Sequence, residues 1–173
     1  MGLFSYGGDR GARLIVIDPL RTLTAEAVDP ARGDLFIQPL PGTDVAMMLA
    51  MMHVIIRDGL TDDEWIAEHT IGFDELRAGV ADWTPERAGG VCGVDADVIT
   101  QLAHDYATVR PAGIRTLIGP EHHENGAMFH RTLSCLPALT GAWAERGGGL
   151  SKSTGAWTER NVDSYAILHA GIE

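Results

Sequence analysis

Two carboxylates, Asp18 and Asp44, each stand where the chain changes character. Leu14-Ile15-Val16-Ile17 is a short apolar, β-branched run that stops at Asp18-Pro19. That is the pattern of a buried parallel strand whose carboxyl end opens onto a crevice. In doubly wound α/β sheets, ligands sit outside the carboxyl ends of strands, where an acidic residue takes ribose hydroxyls. Pro41-Gly42-Thr43-Asp44 is a tight turn at the mouth of a long apolar helix. Two carboxylates on one sheet rim suit a ligand rich in donors, and guanine offers N1–H and N2–H₂ along one edge. Such a paired, charge-assisted contact rejects adenine. The plain alternative is structural: Asp18 closes a turn, while Gly42, Thr43 and Asp44 shape and cap a helix start.

A third cluster, Gly119-Pro120-Glu121-His122-His123-Glu124-Asn125-Gly126, suggests a divalent metal by residue type. Its spacing argues against one. Neighbours in an extended loop point opposite ways, and the helical i, i+4 ligand spacing of zinc enzymes does not occur. The structural alternative is a solvated polar loop. His53, His69 and His104 fall within helical patterns and read as structural or surface histidines. No Ser/His/Asp order, phosphate-binding Walker turn or zinc-cysteine pattern is present.

The elements that must position these residues follow from periodicity and breakers. Asp34 to Gln38 reads as a second short strand, stopped by Pro39-Leu40-Pro41-Gly42. Val45 to Arg57 is apolar nearly all round, the mark of a core helix, with Gly59 as its stop. Its four methionines, Met47, Met48, Met51 and Met52, read as core filler. Short helices follow: one after the capping pattern Thr61-Asp62-Asp63-Glu64, one over 74–82, one from Thr84-Pro85 to Gly93, and one from Asp95 to about Val109. Ile114 to Ile118 is a third strand, and Gly126 to Leu139 a helix ending near Gly141. Residues 146–155 are Gly/Ser-rich, and no strong periodic pattern follows them. The opening of the chain, through Gly7-Gly8 and Gly11, carries no G-x-G-x-x-G turn; either the unit is atypical or, the reading favoured, its first half lies upstream of Met1.

Whole-chain properties narrow the classes further. The 173 residues suit one domain with an ordinary globular composition, 45% hydrophobic and 21% charged. A net charge of −11 with lysine nearly absent speaks against nucleic acid and anionic membrane surfaces as partners. The longest apolar run, Val45 to Ile56, falls short of the ~20 residues a membrane span needs, so no membrane insertion is expected. No signal segment opens the chain; the cytoplasm is the default compartment, with the periplasm open for a longer protein. Cys92 and Cys135 lie far apart and read as reduced, semi-buried small residues.

Ile15-Val16-Ile17-Asp18-Pro19, then Thr22-Leu23-Thr24-Ala25, then Pro41-Gly42-Thr43-Asp44-Val45-Ala46, resembles the molybdopterin oxidoreductase family, also called the dimethyl sulfoxide reductase family. The similarity continues through His69-Thr70-Ile71-Gly72-Phe73, Tyr106-Ala107 and Leu136-Pro137-Ala138-Leu139-Thr140-Gly141 to Gly147-Gly148-Gly149. The ordered series is specific where each motif alone is weak. What the resemblance implies is a Rossmann-like, three-layer α/β segment over residues 1–155. It has a short parallel sheet and an inserted patch of small helices, it is incomplete, and a C-terminal extension over 156–173 follows. It further implies part of a catalytic subunit that binds molybdopterin guanine dinucleotide with molybdenum or tungsten. The residues that match as cofactor-binding are Asp18, Thr22, Gly42, Thr43, Asp44, Gly119, Glu121, His122 and Gly126. Under it, Glu121 and His122 reach pterin nitrogens or line the approach to the metal, and Gly126 lets the next helix begin close to the cofactor. The family usually has arginine directly after Asp-Pro; here Leu20 stands there and Arg21 follows.

Neither a metal ligand nor the cysteine motif for the iron–sulfur (4Fe-4S) cluster expected in the full-length protein occurs, so the segment carries no catalytic residue and is not active alone. Its expected partners are the remaining domains of the same subunit and an electron-transfer subunit. The rival reading is a stand-alone α/β nucleotide-binding module without redox chemistry.

Overall fold

The computed structural model describes residues 11–124 and 126–152. The glycine-rich opening before Gly11, Asn125 and the extension over 156–173 lie outside the described residues.

β1 (Ile15–Ile17) and β2 (Leu35–Ile37) form a parallel pair, with Ile15 opposite Leu35 and Ile17 opposite Ile37. They are joined by the single-turn helix α1 (Leu23–Glu26) and a 3-10 turn over Pro30–Arg32. Asp34, buried at the start of β2, ties the pair together: its carboxylate accepts the Leu14 N–H at 2.8 Å and the Asp29 N–H at 3.1 Å. Burial alone would raise the Asp34 pKa, but these donors hold it below the usual carboxylate value. β1 is less enclosed than its sequence suggests. Val16 is buried, whereas Ile17 is 40% exposed, because β1 pairs only with β2 among the described residues.

α2 (Asp44–Arg57) follows β2. Its buried residues come in consecutive runs, Ala46-Met47-Met48 and Ala50-Met51-Met52, then Val54-Ile55. Only a helix packed on several sides can bury such runs. Helices α4 (Phe73–Val80), α5 (Pro85–Cys92), α6 (Ala96–Thr108) and α7 (Gly126–Leu139) all pack on it, while α3 (Asp63–His69) rests on α7. The small helices are bounded as their caps require. Thr84 accepts the Arg87 N–H and precedes Pro85, Gly93 closes α5 at φ +73°, and Asp62 caps α3 through the Trp65 N–H at 3.0 Å. The histidines within helical patterns are structural or superficial. His53 lies 3.1 Å from the Val80 carbonyl oxygen, His104 pairs with Asp58 at 2.8 Å, and His69 stacks near Trp65.

β3 (Gly113–Thr116) does not join β1 and β2. It pairs in parallel with β4 (Gly149–Lys152), Gly113 opposite Gly149 and Thr116 opposite Lys152. The single short sheet expected from the sequence is therefore two parallel pairs among the described residues, and β4 arises where no periodic pattern announces a strand. The Gly147-Gly148-Gly149 run is explained by left-handed backbone at Gly147 (φ +93°) and Gly149 (φ +81°) and by crowding at Gly148, and Gly113 opposite is crowded too. A Cβ on Gly113 would stand 2.7 Å from the Gly147 carbonyl oxygen, and one on Gly148 would meet the Ala142 carbonyl oxygen at 2.5 Å. Only bare backbone fits at that approach.

Ile55 is fully buried on α2, and Ile71, between α3 and α4, is fully exposed. Ile55→Ala is expected to cost about 2–5 kcal/mol, and Ile71→Ala about 0.5 kcal/mol or less. Urea denaturation measures both; coincident midpoints for the two variants would show that α2 is not the core.

Candidate functional site

The two loops that carry the candidate carboxylates leave the same end of the β1–β2 pair. At the β1 exit, Asp18 donates its N–H to the Ile37 carbonyl at 3.1 Å. One of its carboxylate oxygens accepts the Leu20 N–H at 2.8 Å, an Asx turn around Pro19. Thr22 then caps α1, accepting the Ala25 N–H at 3.4 Å. Arg21, in the loop where the family's arginine is displaced by one residue, lies over the Phe36 ring at 5.4 Å, a cation–π contact that holds it against β2. Gln38, just past β2, donates to the Pro19 carbonyl at 3.3 Å and joins the two exits.

At the β2 exit the chain turns through Leu40–Thr43. Leu40 donates to the Cys92 carbonyl at 2.8 Å, and Gly42 sits at φ +78°, a left-handed conformation that favours glycine. Thr43 occupies the cap position of α2 but makes no side-chain cap; its hydroxyl donates back to the Leu40 carbonyl at 2.6 Å. Asp44 is the first residue of the helix proper. Expectation and structure part here: neither Thr43 nor Asp44 caps α2 through its side chain, which leaves the Asp44 carboxylate without that duty.

Burial pushes the Asp44 pKa above the usual value, its own N–H and the His123 imidazole oppose the shift, and the Asp18 carboxylate adds to it. Asp18 and Asp44 thus lie within range of each other's charge, as a shared site requires. The raised value means that the ionised form is disfavoured by folding. Whatever stability the neutral acid contributes is complete below the ordinary value of 3.8 and is lost as pH rises through the raised pKa. A donor-rich ligand would relieve that cost.

The loop after β3 divides. Its first part is a 3-10 turn over Gly119–His122, fastened away from the carboxylates. Glu121 accepts from Lys152 and lies 2.5 Å from His130, and Lys152 first, then His130, holds its pKa below the usual range. Gly126 is crowded by the Glu121 carbonyl, which a Cβ there would strike. Packing within the loop is therefore a sufficient reason for glycine at 126. Gly119 meets nothing within 4 Å, and His122 is exposed. The second part crosses to the β2 exit. A Cβ on Gly42 would lie 3.0 Å from His123 Nδ1, so the imidazole sits on the Gly42 turn beside Asp44. The structure brings together Asp18, Gly42, Asp44 and His123, and turns Glu121 toward β4. His123 is the residue that sequence reasoning missed; the opposite pointing of adjacent loop residues was the available cue.

No group of three or more histidine, cysteine or acidic side chains able to hold a metal ion occurs among the described residues. A groove lined by Ile66, Thr70, Phe73 and Arg77, among others, runs between α3 and α4, and none of the candidate residues lines it.

Comparison with known proteins gives a consistent relationship. The chain is 38% identical over 155 residues to a probable oxidoreductase YoaE of Bacillus subtilis, covering 90% of this chain and 22% of that protein. It is 37% identical over 162 residues to the F420-dependent formate dehydrogenase subunit alpha of Methanocaldococcus jannaschii, covering 94% and 23%. Its fold matches acetylene hydratase from Pelobacter acetylenicus with a TM-score of 0.76 at 31% identity, over 83% of this chain and 19% of that one. No family model matches. The chain belongs to the molybdopterin oxidoreductases, and it spans about a fifth of the length of the relatives it matches.

The Asp18→Asn variant is expected to lower the Asp44 pKa, since it removes the like charge that helps to raise it. Carboxyl ¹³C NMR across a pH titration reads the shift directly. An Asp44 midpoint unmoved by the change would put the two carboxylates out of each other's reach.

Proposed function

We propose that this chain is the cofactor-binding part of a molybdenum- or tungsten-dependent oxidoreductase, holding the guanine end of a molybdopterin guanine dinucleotide at the carboxyl ends of β1 and β2. The observation that carries this reading is the half-buried Asp44 carboxylate, free of helix-capping duty, with Asp18 beside it. Asp44 accepts the N1–H and N2–H₂ edge of the base, and the uncommitted oxygen of Asp18 takes a ribose hydroxyl or a further base donor. Gly42 and Thr43 form the turn that aims Asp44, and the Thr22 hydroxyl, its oxygen engaged by Ala25, keeps a proton to donate.

In this reading the two parallel pairs belong to one Rossmann-like, three-layer unit over residues 1–155, with 156–173 as an extension of it. Residues Gly119, Glu121, His122 and Gly126 shape the wall toward the pterin, with Glu121 doing so through the turn it anchors. When bound, the cofactor supplies the redox chemistry at its metal. The chain's own residues bind and orient, and the segment alone turns over no substrate. Leu20, Leu40, Leu117 and Ile118 follow strand ends and are each at least 55% exposed, apolar side chains suited to cover by the remaining domains of the same subunit. An electron-transfer subunit and an iron–sulfur cluster belong to the full-length protein in this proposal.

Titration of the chain with GMP and AMP, followed by NMR shift changes, tests the base assignment. GMP is expected to bind about tenfold or more tightly than AMP, and Asp44→Ala to abolish the difference. In the full-length protein the same variant should lower cofactor content with the fold intact. Equal affinity for the two nucleotides, or unchanged loading, would refute the proposal.

A further inference from the structure

A nucleotide held by two carboxylates poses an electrostatic problem, because its phosphates are anions brought up to an acidic rim. Something nearby must donate to them. Arg21 is held over the Phe36 ring. Lys152 and His130 are engaged by Glu121. His123 is differently situated. It crosses from the loop after β3 to the β2 exit, it is exposed, and its side chain has no hydrogen bond among the described residues. The ring atoms nearest the Gly42 turn are Nδ1, where a Cβ would stand at 3.0 Å, and Cγ, at 3.1 Å. Nε2 therefore lies on the ring edge opposite the turn, on a side chain that is exposed.

We infer that His123 is the phosphate-facing residue of this site, its ring seated on Gly42 and its Nε2 donating to the diphosphate of a guanine nucleotide whose base is held at Asp44 and Asp18. The inference rests on the guanine reading above and adds to it which group meets the anionic part of the ligand. The same seat explains the pairing of glycine with histidine across two loops. Any side chain at position 42 would push against the imidazole, besides being strained at φ +78°.

The test compares guanosine with GDP in magnesium-free buffer, titrated into the 173-residue chain and followed by NMR. Wild type should bind GDP more tightly than guanosine. His123→Ala should lose that increment, about tenfold for one charge-assisted contact, with guanosine affinity unchanged. His123→Asn, which keeps a donor, should recover part of it. Undiminished GDP binding by His123→Ala overturns the inference. So does equal loss of guanosine and GDP, which marks a merely structural role, and so does loss of the increment in Arg21→Ala with His123→Ala unaffected. A wild-type chain that binds guanosine and GDP equally well overturns this inference alone; one that binds neither overturns the guanine reading and the inference with it.

Discussion

Burial of α2 on several sides is the constraint from which the rest of the structure follows. A helix whose Ala46-Met47-Met48 and Ala50-Met51-Met52 runs are all enclosed must be surrounded, and α4, α5, α6 and α7 are the surround. That enclosure fixes the axis of α2, and the axis fixes where its first residue emerges. Asp44 therefore reaches the end of the β1–β2 pair as a consequence of core packing. A carboxylate at a helix start is also favoured by the backbone dipole, which partly offsets the burial that disfavours its charge.

The other end of α2 shows the same economy of elements. Arg57 binds Asp58 at 2.6 Å and His104 of α6 reaches Asp58 at 2.8 Å. Asp58 is held at a pKa of about 2, chiefly by the Arg57 guanidinium. Its carboxylate is thus satisfied where α2 meets α6. At the opposite end, among the described residues, only backbone N–H groups close on the two carboxylates, that of Leu20 on Asp18 and that of Asp44 on its own side chain. The contrast separates a structural carboxylate, whose partners come with the fold, from carboxylates that the fold leaves incomplete.

Much of this was legible in residue order. The continuous apolar run of 45–56 announces a core helix, and Thr84-Pro85 and Gly93 mark helix ends by their capping chemistry alone; at α3 the capping box read from Thr61 gives way to Asp62 as the cap, while the Thr61 hydroxyl donates to Asp63. Gly126–Leu139 coincides with the helix expected there. What escaped is non-local. Whether β3 joins β1–β2 or pairs with a strand yet to come depends on a partner at Gly149–Lys152, whose glycine and polar residues carry no strand pattern. The capping of α2 escaped for a related reason. Thr43 has two acceptable uses for its hydroxyl, and the Leu40 carbonyl, only three residues back, captures it. His123 escaped because its contact is with a turn 81 positions earlier.

The division of labour within single residues is the part that bears most on function. A turn aspartate and a ligand aspartate are not exclusive identities, because a carboxylate has two oxygens. Asp18 uses one for the Leu20 N–H and keeps the other. Thr22 accepts from its helix while its proton stays free. Thr43, by donating to Leu40, leaves the α2 start without a side-chain cap, and the neighbouring carboxylate meets its own N–H. Glycines divide in the same way. Gly126 and Gly148 are explained by backbone crowding alone and need no ligand. Gly42 combines a left-handed turn with the seat of an imidazole from another loop, which packing of the β1–β2 pair does not require. In the proposed reading, the chemistry of the site is concentrated in those atoms of Asp18, Asp44 and His123 that have no partner among the described residues.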